Sequence, residues 1–268
     1  MKIGIIGYGS MGKMVFEKLL PAAENGEFEL LVSTRTREKL AGVKAEVCES
    51  NRELAYSADW IFLCVPRENI KEVLDECKDG LTEEKLLISL NGSVLFAQMQ
   101  QVAACRFAKM IPSVTAEVDR SQTLVSFDAR VTAQEKEQLS KLLSCMGDVI
   151  ELPEEEIGIG SELVSCMPAF LAAVVKELCA SAKPHTSLPK EEILRMVLLT
   201  MQGTAALMLK QGYSCEEVIG RVATKGGITE VGTAVIGERF PAVADEVFDK
   251  TLERRKLTAQ AAQRDFSA

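Results

Sequence analysis

The chain has 268 residues, 47% apolar and 26% charged, a globular balance that excludes wholesale disorder. Its net charge of −8 argues against a surface that tracks a nucleic-acid backbone. Its single histidine leaves little for His-based metal sites, triads or proton relays, and no metal site is expected.

Lys2–Gly7 reads as a short buried strand, followed by Gly7-Tyr8-Gly9-Ser10-Met11-Gly12 and a helical pattern through Leu20. Phe28–Ser33 is a second predicted strand. Trp60–Val65 is a third, stopped by Pro66. A helix follows over Glu68–Cys77, then a strand over Leu86–Leu90 and a helix over Phe96–Val102. Thr123–Phe127 and Val149–Leu152 read as strands. Thr132–Ser144 is helical, with Thr132 and Glu135 spaced as a capping box. Strands alternating with helices predict an α/β fold with a doubly wound, mostly parallel sheet.

After Leu152-Pro153 the alternation stops. Helices are predicted over Ile157–Ala182, Lys190–Gln211, Cys215–Val222 and Thr229 to about Leu257, interrupted near Pro241. The polar tail Thr258–Ala268 is expected to fray. The expected organisation is a doubly wound α/β domain over 1–153 and an all-helical domain over 154–268. Met196–Leu209 is apolar nearly all round and reads as a dimer core buried on several sides. It is too short to cross a bilayer, and the apolar stretches in general fall short of a span. The eight cysteines show no C-x-x-C spacing, and most read as core residues. With a strand opening at Lys2 and no signal-peptide anatomy before it, they point to a reduced, cytoplasmic protein.

G-x-G-x-x-G carries information here because it follows a strand and opens a helix. Gly7 permits the tight turn, Gly9 lets a pyrophosphate approach the backbone, and Gly12 lets the helix pack on the strand. Ser10 and Met11 lie on the helix start, where free N–H groups favour phosphate. The second strand ends Ser33-Thr34-Arg35, with no acid until Glu38. Hydroxyls and arginine suit a 2′-phosphate, so NADP(H) is expected ahead of NAD(H). Val65, Pro66 and Asn91 follow strand ends where a dinucleotide would lie. Gly226-Gly227 before a helix reads as an anion nest.

With these segments in place the chain resembles the pyrroline-5-carboxylate reductases over nearly its full length. The likeness rests on G-x-G-x-M-G and the strand ending in Val65-Pro66, then on Met110-Ile111-Pro112-Ser113 and Val164-Ser165-Cys166-Met167-Pro168-Ala169. It continues through Leu188-Pro189-Lys190-Glu191-Glu192 and Thr224-Lys225-Gly226-Gly227-Ile228-Thr229. The resemblance implies an NADP-binding Rossmann domain over 1–153, a helical dimerisation and substrate domain over 154–268, and a homodimer, or a higher oligomer, joined through the C-terminal helices. It implies NAD(P)H-dependent reduction of a small cyclic imine to proline, with no nucleic acid or membrane as partner. It also implies Thr229 at the imine nitrogen, and Thr224, Gly226, Gly227 and Ile228 around the substrate carboxylate.

Departures cluster in that site: no lysine between Val65 and Pro66, Ser113 for asparagine, Cys166 and Met167 for serine and glycine, Lys225 for proline and Ile228 for threonine. Met167 and Ile228 suggest a bulkier or less polar substrate. Glu162, one turn before Cys166, resembles the late-competence-protein branch of the superfamily. It is expected either to face solvent or to enter the site. Two alternatives therefore stand beside the proline reaction: a paralogue acting on another imine or carbonyl acid, and a non-catalytic NADP-binding regulator. His185 is expected to be exposed, and Lys176 to pair with Glu177 on the surface.

Overall fold

A computed structural model describes residues 1–267. The elements of the first part are β1 (Lys2–Ile6), α1 (Ser10–Glu24), β2 (Glu29–Ser33), β3 (Glu46–Val47), α2 (Asn51–Ser57), β4 (Trp60–Leu63) and α3 (Ile70–Cys77). They continue with β5 (Leu86–Ser89), α4 (Phe96–Met99), β6 (Arg106–Ile111), β7 (Ser121–Phe127), α5 (Ala133–Leu143) and β8 (Gly147–Glu151). The eight strands form one sheet in the order β3-β2-β1-β4-β5-β6-β7-β8. Only the β6–β7 pairing is antiparallel. The expected doubly wound sheet is therefore present, with its switch point between β1 and β4.

Each face of the sheet carries its own apolar layer. Val15, Phe16 and Leu19 of α1 and Leu139 and Leu143 of α5 cover one face. Leu54 of α2, Ile70 and Leu74 of α3 and Phe96 of α4 cover the other. The Thr132–Glu135 capping box forms as expected, Thr132 N–H donating to Glu135 Oε2 at 2.9 Å.

The pattern missed β3, α2 and β6. β3 has two residues, too few for a period. In β6 the charged Arg106 and Lys109 break the apolar run, yet Lys109 lies fully buried beside Glu154, Nζ to Oε1 2.7 Å. Such a strand cannot be recognised without its distant carboxylate.

The later elements are α6 (Ile157–Ser161), a π-turn over Glu162–Cys166, α7 (Met167–Ala182), α8 (Lys190–Gln211), α9 (Cys215–Val222) and α10 (Ile228–Ser267). The C-terminal part is all-helical, as expected. Two expectations are corrected here. α10 runs on through Pro241, losing one ladder bond while long flanks on both sides keep the rest. The tail does not fray: it remains helical to Ser267, with Ala262 buried and Phe266 packed on the α2–α4 layer. Residue 268 lies outside the described residues.

By compactness the chain divides into two units. One is Met1–Cys166 together with the chain from Leu252, and the other is Met167–Thr251. The second unit has little core. Among its described residues only Val175 and Ile193 are buried, so the α8 surface expected to be covered on several sides lies open within one chain.

A third correction concerns length. Glu154–His185 and Lys190–Gln211 are each long and apolar enough to cross a bilayer by length and composition. The expectation counted uninterrupted apolar runs. A helix reaches the same average with scattered polar residues, so this test alone does not separate a span from an assembly core.

Candidate dinucleotide and substrate sites

The turn between β1 and α1 is built from glycines that have no substitute. Gly7 has φ +97°, and a Cβ there would lie 2.7 Å from the Cys64 carbonyl oxygen. A Cβ on Gly12 would lie 2.0 Å from the Gly7 carbonyl oxygen. Gly9 differs: a Cβ there meets nothing within 4 Å, so the space beside it is free for a ligand. Gly9 is also the N-cap of α1, with no side-chain cap and no acid in the first turn. The first N–H groups and the positive end of the helix dipole are left for an anion.

A cavity of about 550 Å³ opens at this edge. Gly7, Gly9, Ser33, Thr34, Arg35, Val65 and Pro66, all expected to contact the dinucleotide, line it. Ser33 Oγ donates to Asn51 Oδ1 at 2.8 Å, and Asn51 Nδ2 donates to Glu76 Oε2 at 2.7 Å. Arg37 is held by Glu49 at 2.6 Å, which leaves Arg35 and Lys39 as the exposed cations of the mouth. Asn51, Glu49, Asn69 and Glu76 also line the cavity. They come from segments with no strand or glycine signal, and only the sheet order brings them there.

Ser10, Met11, Gly12 and Asn91 do not line this cavity. Ser10 and Met11 stand on the first turn of α1, Met11 exposed, and Gly12 serves the turn. Asn91 closes its own loop, its Oδ1 accepting from the N–H groups of Ser93 (2.8 Å) and Val94 (3.0 Å). Cys64 lies under the glycine turn, and burial pushes its thiol well above the ordinary range.

Glu162 does not face solvent. It is buried in the π-turn, and its Oε1 accepts from Arg255 Nε at 3.0 Å and Nη2 at 2.8 Å. Its Oε2 is buried and meets no donor in normal hydrogen-bond geometry. Cys166 faces the same carboxylate. Burial, and then Glu162, holds that thiol up in its protonated form. Arg255 is the partner that sequence reasoning missed, because it lies 93 residues away on a helix of ordinary polar pattern.

In the Thr224–Thr229 loop, Gly226 has φ +75° and needs to be glycine for that reason. The loop is not the free anion nest expected from its glycines. Gly226 N–H donates to Glu230 Oε2 at 2.5 Å, and Gly227 N–H donates to the Thr224 carbonyl at 2.8 Å. Ile228 is almost fully exposed, while Thr229 and Met167 are half-buried. The remaining candidates stand where expected: His185 is exposed, and Lys176 pairs with Glu177 on the surface at 3.4 Å.

Comparison with known proteins agrees with this architecture. Residues 2–92 match the family described as NADP oxidoreductase coenzyme F420-dependent, and residues 154–257 match pyrroline-5-carboxylate reductase dimerisation. Pyrroline-5-carboxylate reductase 3 of Bacillus subtilis (strain 168) is 32% identical over 97% of each chain. ComE operon protein 4 of the same organism is 26% identical over 99% of each chain. A pyrroline carboxylate reductase from Plasmodium falciparum, solved with NADP bound, superposes with a TM-score of 0.85 at 20% identity, covering 97% of this chain and 98% of that one. The enzyme from Streptococcus pyogenes gives 0.84 at 20%, covering 96% and 98%. At that identity these two establish the fold. The full-length relative at 32% establishes more: the chain belongs to the pyrroline-5-carboxylate reductase family of NAD(P)H-dependent oxidoreductases acting on a CH–NH group.

Proposed function

We propose that the protein is an NADPH-dependent reductase of a small cyclic imine, with pyrroline-5-carboxylate, reduced to proline in the cytoplasm, as its substrate. The observation that carries this reading is full-length similarity to a pyrroline-5-carboxylate reductase, combined with an uncapped helix start behind an obligatory glycine turn.

When bound, the reduced nicotinamide supplies the hydride. The chain supplies position and electrostatics. The α1 N-terminus takes the pyrophosphate, the Ser33–Asn51–Glu76 chain orders the ribose side, and Arg35 takes a 2′-phosphate. Thr229 is the proposed contact to the imine nitrogen. A protonated imine is already electrophilic, so no strong acid is required, consistent with a single exposed histidine. Unit 2 supplies the dimer core: its open apolar helices coincide with the matched dimerisation segment. A second copy is therefore the proposed cover for α7 and α8, ahead of a bilayer.

Two observations favour a paralogous substrate as the second reading. The loop N–H groups at Gly226 and Gly227 are engaged within the chain, and ComE operon protein 4 is similar over its full length. NADPH absorbance with pyrroline-5-carboxylate and a panel of cyclic imines decides between them. Turnover of pyrroline-5-carboxylate that drops about 100-fold or more in Thr229→Ala supports the first reading. Turnover unaffected by that substitution removes Thr229 from the site.

A further inference from the structure

The end of α10 belongs to the sheet-containing unit, not to the helical one. Its last turns, from Thr258 to Ser267, lie beyond the segment 154–257 that matches the dimerisation family and outside residues 2–92 that match the oxidoreductase family. They still show a helical inward face. Thr258, Ala259, Ala262, Asp265 and Phe266 are withdrawn from solvent, while Gln260, Gln263 and Arg264 are exposed. Ala262 is fully buried, and Ala262 and Phe266 both join the apolar layer of α2–α4.

One contact of this tail is ionic. Arg67 Nη1 donates to Asp265 Oδ2, across 198 positions of chain. Arg67 opens the short turn Arg67–Asn69, directly after Pro66. Val65, Pro66 and Asn69 line the nucleotide cavity, whereas Arg67 does not. The turn is lightly held from within. Asn69 N–H donates to the Pro66 carbonyl at 3.0 Å, and no side chain caps it. Among the described residues, Arg67 to Asp265 is the one side-chain hydrogen bond that the turn makes.

The position of Asp265 is informative. It stands in the last turn of α10, where an anion opposes the helix dipole, so helix stability does not account for it. Arg67 does, since its side chain is only 22% exposed and needs a counter-charge.

We propose that the segment from Thr258 to Ser267 is a strap on the nucleotide cavity, with Asp265 as its positioning residue. Asp265 holds Arg67, and through it the wall from Pro66 to Asn69, in the place that receives the adenosine half of the nucleotide. The inference rests on the nucleotide reading of this cavity and is independent of which imine is reduced. Ordering the wall before the ligand arrives removes that part of the cost of binding.

The test uses the full-length protein and two probes, NADPH and adenosine 2′,5′-diphosphate, titrated by calorimetry. Amide hydrogen exchange of the ligand-free protein is read at Asn69 and Ile70, whose N–H groups bond to the Pro66 and Arg67 carbonyls. The main variant is Asp265→Ala. Alanine is a better helix former and removes the opposed charge, so α10 itself is not weakened. The second is the exchange Arg67→Glu with Asp265→Arg, which restores the pair with its charges reversed.

Asp265→Ala should raise the Kd for both probes about fivefold, as the share of molecules with the wall in place falls to about one fifth. Exchange at Asn69 and Ile70 should quicken by a similar factor, with β1 and β4 unchanged. The reversed pair should return both readings to within about twofold of the parent. An unchanged Kd in Asp265→Ala overturns the proposal. So does a raised Kd that the reversed pair leaves raised, which would mark the loss as general to the fold. A parent protein that binds neither probe overturns the nucleotide reading instead. Quickened exchange in Asp265→Ala then still upholds Asp265 as the brace of the turn, and unchanged exchange overturns that too.

Discussion

In the sheet-containing unit β1, β4 and β5 are covered on both faces, and Phe62, Phe107 and Ile88 lie wholly out of solvent. In Met167–Thr251 the long helix α8 keeps Leu194, Met196, Leu198, Leu199 and Leu207 open, Leu199 at 52% exposure. The first unit completes a core from its own residues. The second does not, and the segment 154–257 that contains it matches a dimerisation domain. The difference shows that apolar content says little about where burial happens. The sheet unit finds its cover within the chain, and the helical unit leaves its apolar face open there, with a second copy as the proposed cover.

The sharpest way to break the contrast is inside the sheet unit. Gly12→Ala puts a methyl 2.0 Å from the Gly7 carbonyl, and should cost about 3 kcal/mol or more and reduce NADPH affinity at least 100-fold. Thermal unfolding and fluorescence titration read both effects. A well-folded variant with normal affinity would contradict the role given to the turn.

On the other side of the comparison, Leu198→Asp places a charge in the open face of α8. It should weaken self-association by about 2 kcal/mol or more per subunit, visible by analytical ultracentrifugation. The nucleotide affinity of the sheet unit should hardly move. An unchanged sedimentation profile would show that this face is not the interface.

Arg35→Ala should raise the Kd for NADPH about tenfold and leave NADH nearly unchanged. A protein that already prefers NADH, and keeps that preference in the variant, would refute the 2′-phosphate assignment.

Asp128 offers a smaller probe of self-sufficiency within the sheet unit. It accepts from Phe107 N–H at 2.8 Å, Arg130 N–H at 2.7 Å and Arg130 Nη2 at 2.9 Å. Burial pushes its carboxyl up, but Arg130 and the two N–H groups outweigh that and hold it below the usual range. A depressed carboxyl stabilises the fold above its unfolded value near 3.8 and loses that effect as pH falls through the folded value. Asp128→Asn should therefore cost about 1–2 kcal/mol at neutral pH and flatten the acid limb of the stability profile. A variant as acid-sensitive as the parent would remove Asp128 from that account. The least effect is expected at the exposed Lys176–Glu177 pair, where Lys176→Met should shift stability by less than about 0.5 kcal/mol and leave turnover intact.

The elements legible in the sequence are those whose causes are local. Strand, glycine turn and helix over Lys2–Glu24 follow from residues within a few positions of one another. So do the Thr132 cap and the bounds of α8 and α9. The site was legible to the same extent. Gly7, Gly9, Ser33, Thr34, Arg35, Val65 and Pro66 gather in one cavity because each follows a parallel strand at the same edge. Asn51 and Arg255 were not legible, since nothing near them in the chain marks their partners.

Sequence alone thus determined the layout: a doubly wound sheet, an all-helical second part, and a turn that only glycine can make. Tertiary structure decided what each charge does. Lys109 is a buried cation only because Glu154 arrives from beyond the last strand, and Glu162 is a buried anion only because Arg255 arrives from the final helix. Periodicity and turn chemistry act over one or two turns of chain. The cost of burying a charge is set by whatever group the fold brings within about 3 Å of it, and that distance has no local signature.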